Sequence, residues 1–502
     1  MAIADPDHQP ILDAARSGLG TNSRRWRGMP EILAVLLTVL ATASAEEPTR
    51  HEALRVNGYK GIWFDLGQRS EFGSKYSGGL GTYTAKHHPL AVYASEVRKT
   101  FFVYGGTTRA DQRHLLAMAS YYNHATGQVP KPVVVHDKRG VDDPHDNPSL
   151  QIDGAGHLWV YVSGRGGHRP GHVYRSRMPY DIESFEHVFD REFTYPQPWW
   201  VDRRGFTLLF TKYTGGRELY WSTSDTDGGA WTGGRKLAGM GGHYQVSNQR
   251  DGKIITAFNM HPGGTVDKRT NLYFVRTDDG GETWRTAGGE VVETPLTDPA
   301  GTALVRDYRA EKRLVYMKDI GFDAEGNPVI LYLTSSHHRP GPAGDPRTWN
   351  IAHWSGGAWK FRTVTTSTHN YDMGSLYIED DGVWRMIAPT EPGPHRHGSG
   401  GEIAIRISRD QGRSWEKIRD VTRDSPQNHG YVRRPVNAHP EFYAFWADGD
   451  PGKMSKSRLH FTDQSGGKVG SLPYDMDAAF LTPNSVSSGD KPGERPICGD
   501  DG

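Results

Sequence analysis

Three stretches of the chain close on one kind of turn: TSDTDGGAW ending at Trp231, RTDDGGETW ending at Trp284 and SRDQGRSW ending at Trp415. The last two fit Ser/Thr-x-Asp-x-Gly-x-Ser/Thr-Trp. In such a turn Asp and Gly shape a tight hairpin and Trp wedges between neighbouring sheets. A chain that repeats it is organised as spaced sheets around one axis, and its chemistry gathers near that axis.

The spacing of apolar runs extends this reading over the whole chain. Groups of period-two runs, separated by Gly, Asp, Asn or Pro, recur over 85–136, 145–190, 195–238, 243–290, 302–366 and 369–420, and from 431 onward. Examples are TFFVYG, LWVYVSG, FTLLFTKY and VILYLTS. The predicted fold is all-β: a seven-bladed β-propeller with four-stranded antiparallel blades and almost no helix. The N-terminal YKGIWFDLG is expected to complete the seventh blade, so that no open edge remains.

Composition enters as a set of exclusions. The formal net charge is +0, which removes an electrostatic case for nucleic acid. The single cysteine, Cys498, supports neither a disulfide framework nor a thiolate cluster. The segment RRWRGMPEILAVLLTVLATASAEE has basic residues, a short apolar run and small residues before Glu46. It reads as a secretory signal translated from Met29 and cleaved near Ala45, too short and poorly flanked for a membrane span. The domain plan is thus residues 1–45 as signal and upstream extension, 46–470 as the propeller, and 471–502 as a polar tail. The product is a secreted or periplasmic monomer that engages neither nucleic acid nor membrane.

In a propeller the start of each innermost strand and the end of the second strand surround the same mouth. Starts supply His145, His243, Tyr244, Tyr371, Tyr431 and Arg433; ends supply Arg165, His168, Lys212, Tyr213, Arg217, His261, Arg269, His337, His338, His395 and His397. A mouth rich in His, Arg and Tyr suits an acidic ligand. No carboxylate pair dominates it, as glycoside hydrolysis usually requires; Asp143, Asp146, Asp267 and Glu391 lie nearby. Elimination from a uronic acid needs a cation or donor for the carboxylate, a base for the C5 proton and an acid for the leaving O4, which His, Tyr and Arg provide. Adjacent histidines lack metalloprotease spacing, so no cofactor is required for the chemistry. Turns rich in Asp leave room for a structural calcium.

Longer motifs then narrow the reading. YKGIWFDLGQ, YSGGLGTYTAKHHPLAVY, KTFFVYGG, DPHDNPSLQIDG, YVSGRGGHRPG, GGHYQVS and KRTNLYF resemble the BNR-4 group of seven-bladed propellers. That group includes polysaccharide lyases and α-L-rhamnosidases acting where rhamnose joins glucuronic acid in gum arabic and other arabinogalactans, and is similar to propeller ulvan lyases. The resemblance implies a plant or algal uronate polysaccharide as partner. It implies His145, His168 and Tyr213 as catalytic residues, with Arg217 or Arg269 assisting the carboxylate. Arg165, His243, Tyr244, Tyr371 and Arg433 complete the substrate-binding expectation. The rhamnosidases instead use a histidine on the opposite face, for which His87 or His88 in TAKHHP is the counterpart. A non-catalytic uronate-glycan binder is the remaining alternative.

Overall fold

The computed structural model describes residues 50–141 and 143–486. Among them the fold is all-β, and the helical elements are four short 3-10 turns. None is long or apolar enough to cross a membrane. Seven antiparallel sheets of four or more strands follow one another along the chain. Their first strands are Ala91–Ala94, Pro148–Ile152, Thr194–Val201, Gln245–Arg250, Leu314–Phe322, Ser375–Ile378 and Asn428–Arg433. Each pairs with the strand that follows it as a meander.

Burial along the strands explains why only some of them alternate in sequence. Leu158–Val162, LWVYV, is buried at every position because neighbouring sheets cover both faces. The outer strand Ser184–Arg191 is mostly exposed or half-buried and carries charge. Apolar side chains collect between consecutive sheets: Phe101, Val103, Leu150 and Val160 between the first and second, Tyr161, Phe206 and Phe210 between the second and third. Phe102, Phe442, Phe445 and Phe461 join the seventh sheet to the first. Burying one such ring contributes about 2–3 kcal/mol. Main-chain bonds add to that last seam, where Val436 N–H donates to Ala91 O (2.8 Å) and Tyr93 N–H to Val436 O (2.9 Å).

The three signature turns are built as their residues suggest. Asp225 accepts from the N–H groups of Gly229 (2.9 Å) and Ala230 (3.0 Å), Asp279 from Thr283 N–H (2.9 Å) and Asp410 from Ser414 N–H (2.9 Å). Gly281 adopts φ +90° and lies so close against Trp221 that a Cβ would fall 2.2 Å from the indole nitrogen. Trp284 meets the same indole edge-on at 5.5 Å, wedging the fourth sheet against the third.

Two expectations change. YKGIWFDLG does not complete the seventh sheet: Gly61–Asp65 forms a separate three-stranded sheet with Ser455–Ser457 and Ser77–Gly79. The seventh sheet is extended instead by Val469–Ser471 and Asn484–Val486. The polar tail is thus part of the fold as far as residue 486, and Phe480–Leu481 pairs with Val129–Pro130. Extra strands also make the four-strand rule inexact. Arg50–Glu52 adds to the outer edge of the second sheet and Leu54–Arg55 to that of the first. The signal segment 1–45, Cys498 and the tail beyond 486 lie outside the described residues.

Candidate functional site

The sequence DDPHDNP makes a 3-10 turn, Pro144–Asp146, at the entry to the second sheet. Pro fixes the first position, and the Asp143 carboxylate caps the turn by accepting His145 N–H (3.1 Å). The same oxygen accepts the His145 ring Nδ1–H. A carboxylate only accepts, so the proton sits on Nδ1 and Nε2 is left with a lone pair. Arg165 Nη1 (3.1 Å) and Arg169 Nη2 donate to the other Asp143 oxygen from the loop after Leu158–Val162. Burial alone would raise the Asp143 pKa, but His145 and the two guanidinium groups hold it well below the usual carboxylate range.

The third sheet supplies the facing group. Tyr213 ends Gly205–Tyr213 and pairs across a hairpin with Arg217. Arg165 and Arg217 each place a guanidinium carbon 5.8 Å from its ring centre. Tyr195 connects the two halves: its ring lies edge-on to His145 and to Tyr244, both at 5.7 Å. Tyr195 has φ +55° within an irregular stretch of the first strand of its sheet, a costly backbone state for a bulky residue. Burial, with Tyr244 and Tyr213 alongside, pushes its phenol well above 10 against the pull of Arg165 and Arg217.

Beyond Tyr244 the wall continues with Arg269, buried under the rings of Tyr316 (4.6 Å), Tyr244 (5.0 Å) and Tyr371 (5.4 Å). Burial opposes its charge, yet Tyr371, Tyr316, Tyr76 and Tyr244 raise its pKa well above normal, so it is a permanent cation. His261 is fully buried beside Tyr244 (4.8 Å), and neither ring nitrogen has a hydrogen-bond partner among the described residues. Burial, then Arg269 and Arg217, keep it neutral.

Several predicted residues serve the scaffold instead. His243 accepts Met240 N–H at Nε2 (3.1 Å) and donates from Nδ1 to Asn259 O (2.8 Å), so neither nitrogen is left for a ligand. Arg433 donates to Thr84 O (2.9 Å) and His87 O, tying the seventh sheet to the segment before the first. His87 accepts Thr84 N–H (3.4 Å) and donates to His145 O (2.9 Å), making it a brace under His145. His88 lines a different cavity with Lys318, Asp319 and Arg434, and its buried Nε2 has no partner there. His168 is exposed on the loop that carries Arg165 and Arg169. Tyr195, Arg169, Tyr76 and Tyr316 were absent from the sequence-based set. Their position depends on bulges and loop paths, which leave no residue pattern.

The structural histidines set the acid limit of the fold. Burial pushes His87 down to about 3 and His243 to about 4, against about 6.5 in an unfolded chain. Both stay neutral in the fold while the unfolded chain takes up protons below pH 6.5. Stability is therefore complete above 6.5 and lost as pH falls toward 4, by about 1.4 kcal/mol per pH unit for each histidine. Urea midpoints at pH 7.5 and pH 5 check this; equal midpoints would contradict it.

Among the described residues, the two clusters that bring three acidic or imidazole side chains together, His124–His439–Glu441 and His172–His187–Asp190, are both imidazole-rich.

Comparison with known proteins agrees with this architecture. Residues 95–367, more than half of the chain, match the model described as BNR repeat-containing family member. An ulvan lyase from Nonlabens ulvanivorans is 23% identical over 417 residues, 73% of this chain and 83% of that protein. Among solved structures, a PL25 ulvan lyase bound to -[GlcA(1-4)Rha3S]- superposes with TM-score 0.64 at 16% identity, covering 83% of this chain and 96% of that one. The polysaccharide lyase Uly1 gives TM-score 0.55 at 13% identity, covering 82% and 99%. With the match spanning four of the seven sheets and their signature turns, the chain belongs to the BNR repeat-containing family.

Proposed function

We propose that the protein is a polysaccharide lyase that cleaves the L-rhamnose-α-1,4-D-glucuronate linkage of arabinogalactan or gum arabic by β-elimination. The observation that carries the reading is the Asp143–His145 pair set near a tyrosine bracketed by two guanidinium groups. A uronate carboxylate beside Tyr213 meets Arg165 and Arg217, which neutralise it and favour loss of the C5 proton. His145 Nε2 takes that proton, and ionised Asp143 stabilises the imidazolium as it forms. The electron pair of the C5–H bond becomes the C4–C5 double bond. As the C4–O4 bond breaks, Tyr213 gives its phenolic proton to O4, and rhamnose departs with that oxygen. A protonated phenol at this position can serve as the acid.

Similarity to ulvan lyases supports elimination at a uronate-rhamnose polymer. The seven sheets, with an apolar cluster across the seventh-to-first seam, support a closed seven-bladed ring. Residues 1–45 are read as an export signal, so the enzyme is proposed to act outside the cytoplasm; a monomer is proposed as well. The hydrolase alternative now rests on His88, whose buried nitrogen faces its own cavity, because His87 is committed to the backbone.

Incubation with gum arabic tests these readings. Rhamnose release with rising ultraviolet absorbance from the new conjugated double bond is expected. Rhamnose release without that absorbance would transfer the assignment to a hydrolase at His88. Binding with neither product would leave a carbohydrate-binding propeller.

A further inference from the structure

The outer hairpin of the second sheet carries a second group of reactive side chains, away from the His145–Tyr213 pair. His172 lies on Gly171–Ser176, and His187 and Asp190 lie on the neighbouring Ser184–Arg191. His172 stands directly opposite Asp190. Residues three apart on a regular strand point to opposite faces, so His187 and Asp190 would ordinarily be separated by the sheet. Here Val173 pairs with Phe189 but Tyr174 pairs with His187, which leaves Val188 as an extra residue. That one-residue bulge reverses the parity of the strand and brings His187 onto the face of Asp190 and His172.

The convergence is close. His172 Nδ1 and His187 Nε2 both donate to a single oxygen, Asp190 Oδ1, each at 2.6 Å. The ligand atoms of all three lie within 4.8 Å of one another. Tyr174 packs edge-on against His187 at 5.4 Å, and His136 of the first sheet stacks on His172 at 4.3 Å. His172 and His136 form part of the wall of a pocket of about 530 Å³, with Lys138, Arg139 and Arg169.

We propose that His172 Nδ1, His187 Nε2 and Asp190 Oδ1 form a binding site for a zinc-type divalent cation, with the remaining coordination positions open toward the pocket. Two imidazoles and one carboxylate suit a borderline late first-row metal rather than calcium. Binding needs a lone pair at each ligating nitrogen: a neutral ring shifts the proton now held against Asp190 to its other nitrogen, and a charged ring releases that proton to solvent. Metal–nitrogen distances of about 2.0–2.1 Å require each 2.6 Å contact to open by under about 1 Å. The ring stacks restrain that adjustment. The pocket beside His172 is also lined by Lys138 and Arg169, which are paired with Asp146 and Asp143, and by Arg139.

Cobalt(II) titration of the chelator-treated full chain tests the site, with visible ligand-field absorption as readout. One saturable equivalent is expected, and His187→Ala and Asp190→Asn should each weaken it by about tenfold or more. His124→Ala, which removes the other imidazole cluster, should leave it unchanged. Thermal unfolding of each variant without metal checks that the exposed substitutions at His187 and Asp190, and the buried one at His124, keep the fold. Cobalt binding that is unaltered in both His187→Ala and Asp190→Asn, or that is lost only in His124→Ala, overturns the assignment. Absence of any saturable equivalent does so as well.

Discussion

Tyr213→Phe is expected to lower kcat/KM on a rhamnose-glucuronate substrate by about 10³-fold, a loss in the range of general acid catalysis. Removal of one oxygen leaves the ring, and so the contacts that Arg165 and Arg217 make with its face, in place. The carboxylate should therefore still bind, and the loss should fall on kcat with KM moving by less than about threefold. Steady-state kinetics followed through the double-bond chromophore separates the two terms. A variant that keeps kcat and loses affinity would assign Tyr213 to binding and leave the leaving oxygen without a donor.

The second large effect concerns a residue that need not touch the substrate. Asp143→Asn keeps the size of the side chain but replaces an acceptor with a group that also donates. The amide can then donate to His145 Nδ1, which moves the ring proton to Nε2 and removes the lone pair assigned to the base. It also withdraws the negative charge that Arg165 and Arg169 share. A fall in kcat of about 10³–10⁴-fold is expected, comparable to loss of an orienting aspartate in a catalytic triad. KM and the thermal midpoint separate the explanations. A large fall in the midpoint with normal kcat in the remaining folded fraction would make Asp143 a loop anchor only.

Much of the architecture was legible because its causes are local. Asp279, Gly281 and Trp284 specify a turn through their own hydrogen bonds and φ, so a short string of residues suffices. The meandering sheets follow from runs bounded by turn residues. Pairing across long separations was less legible: Gly61–Asp65 has the composition of a blade strand, and only its partners reveal that it builds a separate sheet. At the site, strand-end reasoning placed His145, Arg165, Tyr213, Arg217, Tyr244 and Arg269 along one connected wall. It could not separate an imidazole facing a ligand from one consumed by backbone. His243 and His145 sit at equivalent strand entries, yet His243 spends both nitrogens on main-chain groups whereas His145 spends one on Asp143. Tyr195 was invisible for another reason: a left-handed backbone within an irregular strand directs its ring, and nothing in its residue type signals that state.

The strands nearest the two ends of the described segment bear on synthesis. Arg50–Glu52 and Leu54–Arg55 close the outer edges of the second and first sheets, while Phe480–Leu481 and Asn484–Val486 reach the first and seventh. An unpaired edge is open to association with other chains. During translation the early sheets leave the ribosome long before residues 480–486 exist, so the second sheet, edged by Arg50–Glu52, is complete well before the seventh. A chain stalled or clipped before Phe480 would keep its signature turns and its Asp143–His145 pair, yet leave Val469–Ser471 as a raw edge on the seventh sheet and Val129–Pro130 unpaired.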